Sequence, residues 1–343
     1  MSDIAITPVR GAMNRDEQHQ HLIRVSRTFA FTIPFLPDPL ADVVSNAYLL
    51  CRIADTVEDD PKADVSAKTR WLKAFAACAA TGFRDPVRVL ELSYEASALV
   101  KEGAVSAEYA LMRDLDKVVA RTRSYRRELV TIVCHGVEIL AYGMAEQLDG
   151  MEIRSEQDVD RYCYAVAGVV GEMLAQLFAA MNHRIDKKAL HTLAISFGEG
   201  LQLTNILKDR FADKADRDAT FLPQAEDHEG RTQVQHYVAL TRGHLDNAVA
   251  FILHIPCMDY GVRLFCLVNV IMAFLTLKRV ARFPEGPGSA LKISRRAVKV
   301  SAVLCMLCAR FNLGVRALSF FVGLGLPAIR RDPEELLQRV SRW

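Results

Sequence analysis

The sequence lacks the features that mark several classes of protein. Of its 343 residues, 43 are lysine or arginine and 41 are aspartate or glutamate, so the net charge is only +2. This near balance predicts no nucleic acid partner. No alternating run of β-branched residues ends in a hairpin turn, so a β-sheet protein is not predicted either.

Signals for secretion and for membrane insertion are also missing. The N-terminus has no apolar signal-peptide core, and the eight scattered cysteines fit buried thiols in a reducing compartment. Three apolar segments, 264–277, 300–309 and 317–329, are each shorter than the roughly 18 residues that span a bilayer. We expect buried helices, no transmembrane helix and a cytoplasmic protein, with room for peripheral contact at the inner membrane.

Glycine and proline are absent from 88–102 and 104–135. Within these stretches apolar residues recur at steps of three and four, which is the period of an α-helix. The pattern predicts an all-α protein, with one helix over about 40–58. We expect a flexible N-terminal segment, 1–20, and a single domain over 21–343.

An acidic cluster closes the predicted helix over 40–58. Asp55, Glu58 and Asp59 are spaced by three and four residues, so they project from one face of a helix. Their mutual repulsion would be relieved by a hard divalent cation such as Mg²⁺, which also binds phosphate oxygens. A solvated helix end is the other interpretation of this cluster taken alone.

A second polar stripe lies further along the chain. Gln202, Asn205, Asp209 and Asp213 follow one another at steps of three and four in an otherwise apolar helix pattern. Such a stripe is costly unless it faces solvent, lines a cavity or binds a ligand. Together the two patterns predict acidic helices that face each other across an apolar core and hold a diphosphate through Mg²⁺.

Five segments resemble the squalene and phytoene synthase family. They are SRTFA at 26–30, DTVEDD at 55–60, RYCYAVAGVVG at 161–171, QLTNILKDRFAD at 202–213, and a looser match that ends in LKI at 291–293. The resemblance covers about residues 22 to 300. It implies an all-α isoprenoid-synthase fold around a central active-site cavity.

The same resemblance implies a reaction. Two farnesyl diphosphates would be joined head to head to give presqualene diphosphate, with Mg²⁺ as cofactor. In the squalene-forming members NADPH then drives a reductive rearrangement to squalene. Members that form dehydrosqualene or phytoene carry out the same condensation without NADPH. A non-enzymatic helical lipid-binding protein is the alternative from a different class.

The resemblance also assigns roles to individual residues. The implied metal ligands are Asp55, Glu58, Asp59, Asp209 and Asp213. The implied diphosphate-binding residues are Ser26, Arg27, Arg52, Gln202 and Asn205. The implied catalytic residues are Tyr48, Arg52 and Tyr162. The implied NADPH contacts are Lys292 and Arg295. Tyr162 would assist proton loss or orient the departing diphosphate.

The segment after Tyr162 is rich in alanine and glycine, including Gly168 and Gly171. Each glycine weakens a helix by up to about 1 kcal/mol relative to alanine, so some gain must offset that loss. Room for a prenyl chain against the backbone would provide one explanation. Close packing against a neighbouring helix would provide another.

Overall fold

The computed structural model describes residues 11–217, 220–223, 230–285 and 291–343, without the side chains of Arg27, Asp213, Asp216, Arg217 and Arg231. Every regular element in this part of the chain is a helix, which confirms the all-α prediction. One 3₁₀ turn (Ile33–Phe35) and one π-helical segment (Tyr164–Gly168) interrupt the α-helices. The α-helices are α1 (Arg15–Val25), α2 (Arg27–Thr32), α3 (Leu40–Asp59), α4 (Val65–Ala80), α5 (Pro86–Leu99), α6 (Ser106–Arg113), α7 (Leu115–Ser124), α8 (Arg127–Leu148), α9 (Glu156–Cys163), α10 (Val169–Met181), α11 (Lys187–Arg217), α12 (Gly230–His254), α13 (Tyr260–Arg282), α14 (Arg295–Cys308), α15 (Asn312–Gly323) and α16 (Pro333–Val340).

The chain forms two compact units. The first contains Met1–Phe31 and Asp42–Gly150, and the second contains Thr32–Ala41 and Met151–Trp343. The expectation of a single domain over 21–343 stays a prediction. Helix α1 begins at Arg15, inside the segment that was expected to be flexible.

Helix α3 confirms the helix predicted over 40–58. Its apolar residues recur at steps of three and four, as in Val43, Ala47 and Leu50, and they are buried. The helix ends at Asp59 because the next residue, Asp60, caps the following turn with its side chain. Asp60 Oδ1 accepts hydrogen bonds from the backbone N–H groups of Lys62 and Ala63, each at 2.9 Å.

In the second unit, α11 packs against α10, α12, α13 and α16. Two glycines allow neighbouring backbone to approach α10 and α11 closely. A Cβ on Gly171 would lie 2.0 Å from the carbonyl oxygen of Ala194, and one on Gly198 would lie 2.0 Å from that of Ala167. Close helix packing therefore explains Gly171 without invoking space for a prenyl chain.

Three helical stretches are long and apolar enough to cross a membrane by length and composition: Arg127–Leu148, Glu156–Met181 and Tyr260–Arg282. Their apolar windows are 61%, 72% and 78% buried inside the protein. The sequence prediction of no transmembrane helix counted only uninterrupted apolar runs. It overlooked helices in which alanine, glycine and threonine extend the apolar window.

Two of the three segments expected to be buried are not. Residues 264–277 lie in α13 and are mostly buried, as predicted. Residues 300–309 and 317–329 fall in and after α14 and α15, which expose many apolar side chains. For these two segments the prediction was wrong, because apolar composition alone does not tell a covered helix face from an uncovered one.

Candidate active site

The first part of the candidate site is a stripe along α3. Tyr48, Arg52, Asp55 and Asp59 follow one another at steps of four, three and four, so the helix presents them on one face. All four side chains are half-buried, and so is that of Glu58 beside them. The apolar residues on the opposite face of α3 are buried and hold the helix in place. The face that carries the stripe is therefore available for polar contacts.

Arg52 connects the stripe to helix α6. Its guanidinium donates hydrogen bonds to Asp55 and to Glu108 of α6, and it forms ion pairs with both carboxylates. Burial lowers the pKa of Arg52, but the carboxylates of Asp55 and Glu108 outweigh burial and raise it overall. The sequence analysis missed Glu108, because no local pattern marks a carboxylate that lies 56 positions from its partner.

The side chains of Tyr48 and Ser26 are in contact. The Ser26 hydroxyl hydrogen-bonds the phenol of Tyr48 and accepts a bond from the backbone N–H of Phe29 at 3.1 Å. The ring centroids of Phe29 and Tyr48 are 5.0 Å apart. Burial raises the pKa of Tyr48, so this phenol stays neutral at physiological pH. The side chain of Arg27, the other predicted residue here, lies outside the described part of the chain.

The four carboxylates of the DTVEDD motif have two different roles. Asp60 is buried and caps its own turn, and a Cβ on Gly103 would collide with it. Asp55, Glu58 and Asp59 remain half-buried along the stripe. Three adjacent carboxylates match the hard oxygen donors that Mg²⁺ prefers. The donor chemistry of these three residues therefore fits the predicted cation.

The second part of the candidate site lies on α11. Gln202 and Asp209 are half-buried and Asn205 is exposed. The ammonium of Lys208 donates to Asn205 Oδ1 at 3.2 Å and lies 3.0 Å from Asp209 Oδ2. Lys208 therefore links two of the predicted polar residues. The side chain of the fourth, Asp213, lies outside the described residues.

Tyr162 lies in the last turn of α9 and is 5% exposed. Its ring stacks on that of Phe221, with centroids 4.8 Å apart and an angle of 14° between the planes. The π-helical segment Tyr164–Gly168 follows immediately, and such segments are rare and frequent at functional sites. Phe221 was missed by the sequence analysis, since a single aromatic residue in a loop carries no pattern.

A buried ion-pair network holds the helix that carries Tyr162. Asp160 Oδ2 accepts hydrogen bonds from Arg331 at 2.6 Å and from Arg339 of α16 at 2.5 Å. Arg331 also donates to Glu156 at 2.5 Å. The segment from Arg331 through α16 is thus fastened to α9 two residues away from Tyr162.

Next to Asp160 lie two fully buried titratable groups, Glu199 of α11 and His244 of α12. Potential ligand atoms of the three residues lie within 4.8 Å of one another, so the group has the donors to hold a metal ion. However, Arg331 and Arg339 already balance the charge of Asp160. Burial raises the pKa of Glu199 well above its ordinary range and lowers that of His244 well below its own. We interpret the group as a structural network with both side chains neutral.

We expect Glu199→Gln to change the pH dependence of stability. In the folded protein Glu199 keeps its proton above its ordinary pKa of 4.5, whereas the unfolded chain loses it. The folded state therefore binds more protons, and its stability falls as pH rises from about 4.5 towards the raised pKa. The variant cannot ionise, so its stability relative to the original protein should grow between pH 5 and pH 8 in urea titrations.

Glu128→Gln is the control for that comparison, because Glu128 is an exposed carboxylate that pairs with the exposed Arg126 at 3.4 Å. A constant difference in unfolding free energy between the Glu199→Gln variant and the original protein across this pH range would show that Glu199 is ionised in the folded state.

The two residues implied as NADPH contacts lie elsewhere in the second unit. Lys292 precedes α14, and Arg295 is its first residue. Both are exposed, and neither has a hydrogen-bond or ion-pair partner among the described residues. They could bind phosphate groups, but they do not by themselves form an enclosed nicotinamide site.

The chain is similar in sequence to known squalene synthases. The chain is 30% identical over 277 residues to squalene synthase of Rattus norvegicus, which covers 76% of this chain. It is 26% identical over 307 residues to squalene synthase of Schizosaccharomyces pombe, which covers 82% of this chain. The aligned regions make up 62% and 63% of those two relatives, so the chain matches a little under two thirds of their length.

Solved structures confirm the fold. A structure of TcSQS with the ligand E5700 matches with a TM-score of 0.74 at 23% identity, over 94% of this chain and 95% of that one. A dehydrosqualene synthase structure matches with a TM-score of 0.57 at 15% identity, over 84% and 94%. A sequence model of the squalene/phytoene synthase family matches residues 22–297. The chain belongs to the squalene/phytoene synthase family.

Proposed function

We propose that this protein joins two farnesyl diphosphates head to head to form presqualene diphosphate and then, with NADPH, converts it to squalene. The observation that carries the proposal is the stripe on α3, where Tyr48, Arg52 and Asp55 share one face of the helix and Tyr48 hydrogen-bonds Ser26. The polar stripe on α11 and the buried Tyr162 support it.

The side chains suggest how the work is divided. Arg52 binds diphosphate oxygens, since guanidinium geometry suits phosphate, and its ion pairs with Asp55 and Glu108 fix its position. Asp55, Glu58 and Asp59 on α3 would bind Mg²⁺, and so would Asp209 and Asp213 on α11. When bound, Mg²⁺ neutralises the negative charge of the diphosphate leaving group. Gln202 and Asn205 add hydrogen-bonding groups on α11.

In the first half-reaction one substrate loses diphosphate to give an allylic cation. The double bond of the second substrate attacks it, and loss of a proton closes a cyclopropane. Tyr162, whose ring stacks on that of Phe221, orients the departing diphosphate or assists the proton loss. The apolar core keeps water from the cation.

The reductive step with NADPH is proposed from similarity to the family, and product analysis tests it. The protein is incubated with farnesyl diphosphate and Mg²⁺, with and without NADPH, and products are identified by mass. We expect squalene only with NADPH. Dehydrosqualene in both cases would assign the protein to the non-reducing members, and a twenty-carbon donor preference would indicate phytoene. Unchanged substrate in every case would favour a lipid-binding protein.

We predict that Tyr162→Phe lowers the rate of presqualene diphosphate formation by about a hundredfold, because a hydroxyl that takes part in proton transfer contributes on that scale. The ring and its stacking on Phe221 are kept, so binding of substrate should change little. Tyr94→Phe, at an exposed position on α5, is the matched control. A near-normal rate for Tyr162→Phe would remove this hydroxyl from the mechanism.

We also propose that the protein is cytoplasmic and makes peripheral contact with the inner membrane, since its substrate and product would be lipids.

A further inference from the structure

Residues 300–329, which include most of α14, all of α15 and the short segments after each, carry more than half of the exposed large hydrophobic side chains in the described residues. On α14 these include Val300, Val303, Leu304 and Leu307, which follow one another at steps of three, one and three. That spacing places them on one face of the helix. The face points outwards, and Leu307 is 68% exposed.

Helix α15 repeats the arrangement. Leu313, Phe320 and Phe321 are exposed on the helix, and Leu324 is exposed just after its end. Phe320 and Phe321 are in edge-to-face contact, with ring centroids 5.6 Å apart. Exposed patches of this kind mark interaction sites, because scattered single residues are the normal pattern on a soluble surface.

The exposure is not a sign of loose packing. The inner faces of both helices are buried, and the fully buried Arg263 holds the turn between them. Its guanidinium donates to the carbonyl oxygens of Ala309 at 2.6 Å and Ile255 at 2.6 Å, and to Asn312 Oδ1 at 2.9 Å. The hydroxyl of Tyr260 donates to the carbonyl oxygen of Met306 at 2.9 Å. The outward apolar face is therefore a fixed feature of the fold.

Charge distinguishes this surface from the rest of the chain. Residues 286–331 contain eight lysines and arginines and no aspartate or glutamate, although the whole protein has a net charge of only +2. Arg295, Arg296 and Lys299 are exposed at the start of α14, and Arg310 and Arg316 are exposed beside the apolar residues of the turn and α15. The segment that carries the apolar surface therefore contributes positive charges and no negative ones.

We propose that the outward faces of α14 and α15 form a membrane-binding surface for anionic phospholipid. Apolar side chains that enter the boundary between headgroups and acyl chains, with arginine and lysine at headgroup level, are the pattern of interfacial helices. Each basic residue near such a surface gains attraction to anionic lipid. Two copies of this chain facing each other through the same surface would bring together like charges, which argues against a dimer.

This surface is where the protein would make the membrane contact proposed above. Binding to lipid does not depend on the proposed condensation of farnesyl diphosphate. The surface also gives Lys292 and Arg295 a role that needs no NADPH, because both are exposed on the same acid-free segment. Binding is therefore tested without substrate, and failure here would leave the proposed condensation untouched.

The experiment is cosedimentation of the full chain with vesicles of phosphatidylcholine, alone or mixed with phosphatidylglycerol, at low and high salt. We expect binding to the mixed vesicles that weakens with salt. The double variant Leu307→Asn/Phe321→Asn should weaken binding about a hundredfold, from the loss of two buried apolar groups. Arg310→Gln/Arg316→Gln should weaken it, by about fivefold per residue.

The control is Tyr94→Asn/Val105→Asn, which changes two exposed hydrophobic residues in the other unit and should bind like the original protein. Circular dichroism checks that every variant is folded. Equal binding by the original protein and Leu307→Asn/Phe321→Asn would overturn the proposal. So would an absence of binding to anionic vesicles, or a dimer in sedimentation velocity that this variant dissociates, which would assign the surface to a second copy.

Discussion

Asp55→Asn should lower kcat/KM for presqualene diphosphate formation by about a hundredfold to a thousandfold, the scale on which preorganised charge at a reacting centre acts. The substitution keeps the size of the side chain but removes a carboxylate that would bind Mg²⁺ and that also pairs with Arg52. The Asp55 side chain is 33% exposed, so the fold should tolerate the change. Steady-state kinetics at several Mg²⁺ concentrations measures the effect.

Asp209→Asn should give a loss of similar size, because we propose that the acidic residues of both helices act through Mg²⁺. The control is Asp149→Asn, a carboxylate of the first unit that pairs with Lys73 at 2.7 Å and is half exposed. Its activity should be close to that of the original protein. Turnover that persists in EDTA, or full activity in the Asp55→Asn variant, would contradict the proposed metal role.

Asp160→Asn should have the largest effect on stability, a loss of about 3–5 kcal/mol, because it breaks a buried ion pair from one side. The Asp160 side chain is 2% exposed and accepts hydrogen bonds from Arg331 and Arg339. Asparagine would leave the two guanidinium groups without their shared anion, and Arg331 is 10% exposed. Urea unfolding followed by circular dichroism measures the loss.

The matched control is Asp246→Asn on α12. Asp246 forms an ion pair with Arg242 at 2.9 Å, and its side chain is 46% exposed. Exposed ion pairs contribute about 0–1 kcal/mol, so this variant should be close to the original protein. Equal losses in the two variants would mean that the Asp160 network does not fasten the segment from Arg331 through α16 to α9.

The sequence predicted the elements of the site better than their partners. Helix α3 and the shared face of Asp55, Glu58 and Asp59 follow from spacing alone, because helical period and a missing glycine or proline are local properties. The pairing of Arg52 with Glu108 is not local, and no spacing rule could find it. Asp60 looks like its neighbours in the sequence, and only the turn that it caps sets it apart.

Covered and uncovered apolar helices were also not separable from sequence. The apolar runs in α13 and α14 have similar composition, yet the first is enclosed by its neighbours and the second presents Val303 and Leu307 to the outside. Glu199 and His244 were overlooked for a related reason. Neither belongs to a recognisable sequence motif, and their importance comes only from meeting Asp160 in the fold.

The most direct measurement incubates the purified protein with farnesyl diphosphate and Mg²⁺, without NADPH, and follows substrate, diphosphate and products by mass analysis. We predict presqualene diphosphate or a thirty-carbon product derived from it, with the first diphosphate released for each pair of substrates consumed, and no reaction when EDTA is present. Unconsumed farnesyl diphosphate, or a head-to-tail product, would contradict the proposed head-to-head condensation.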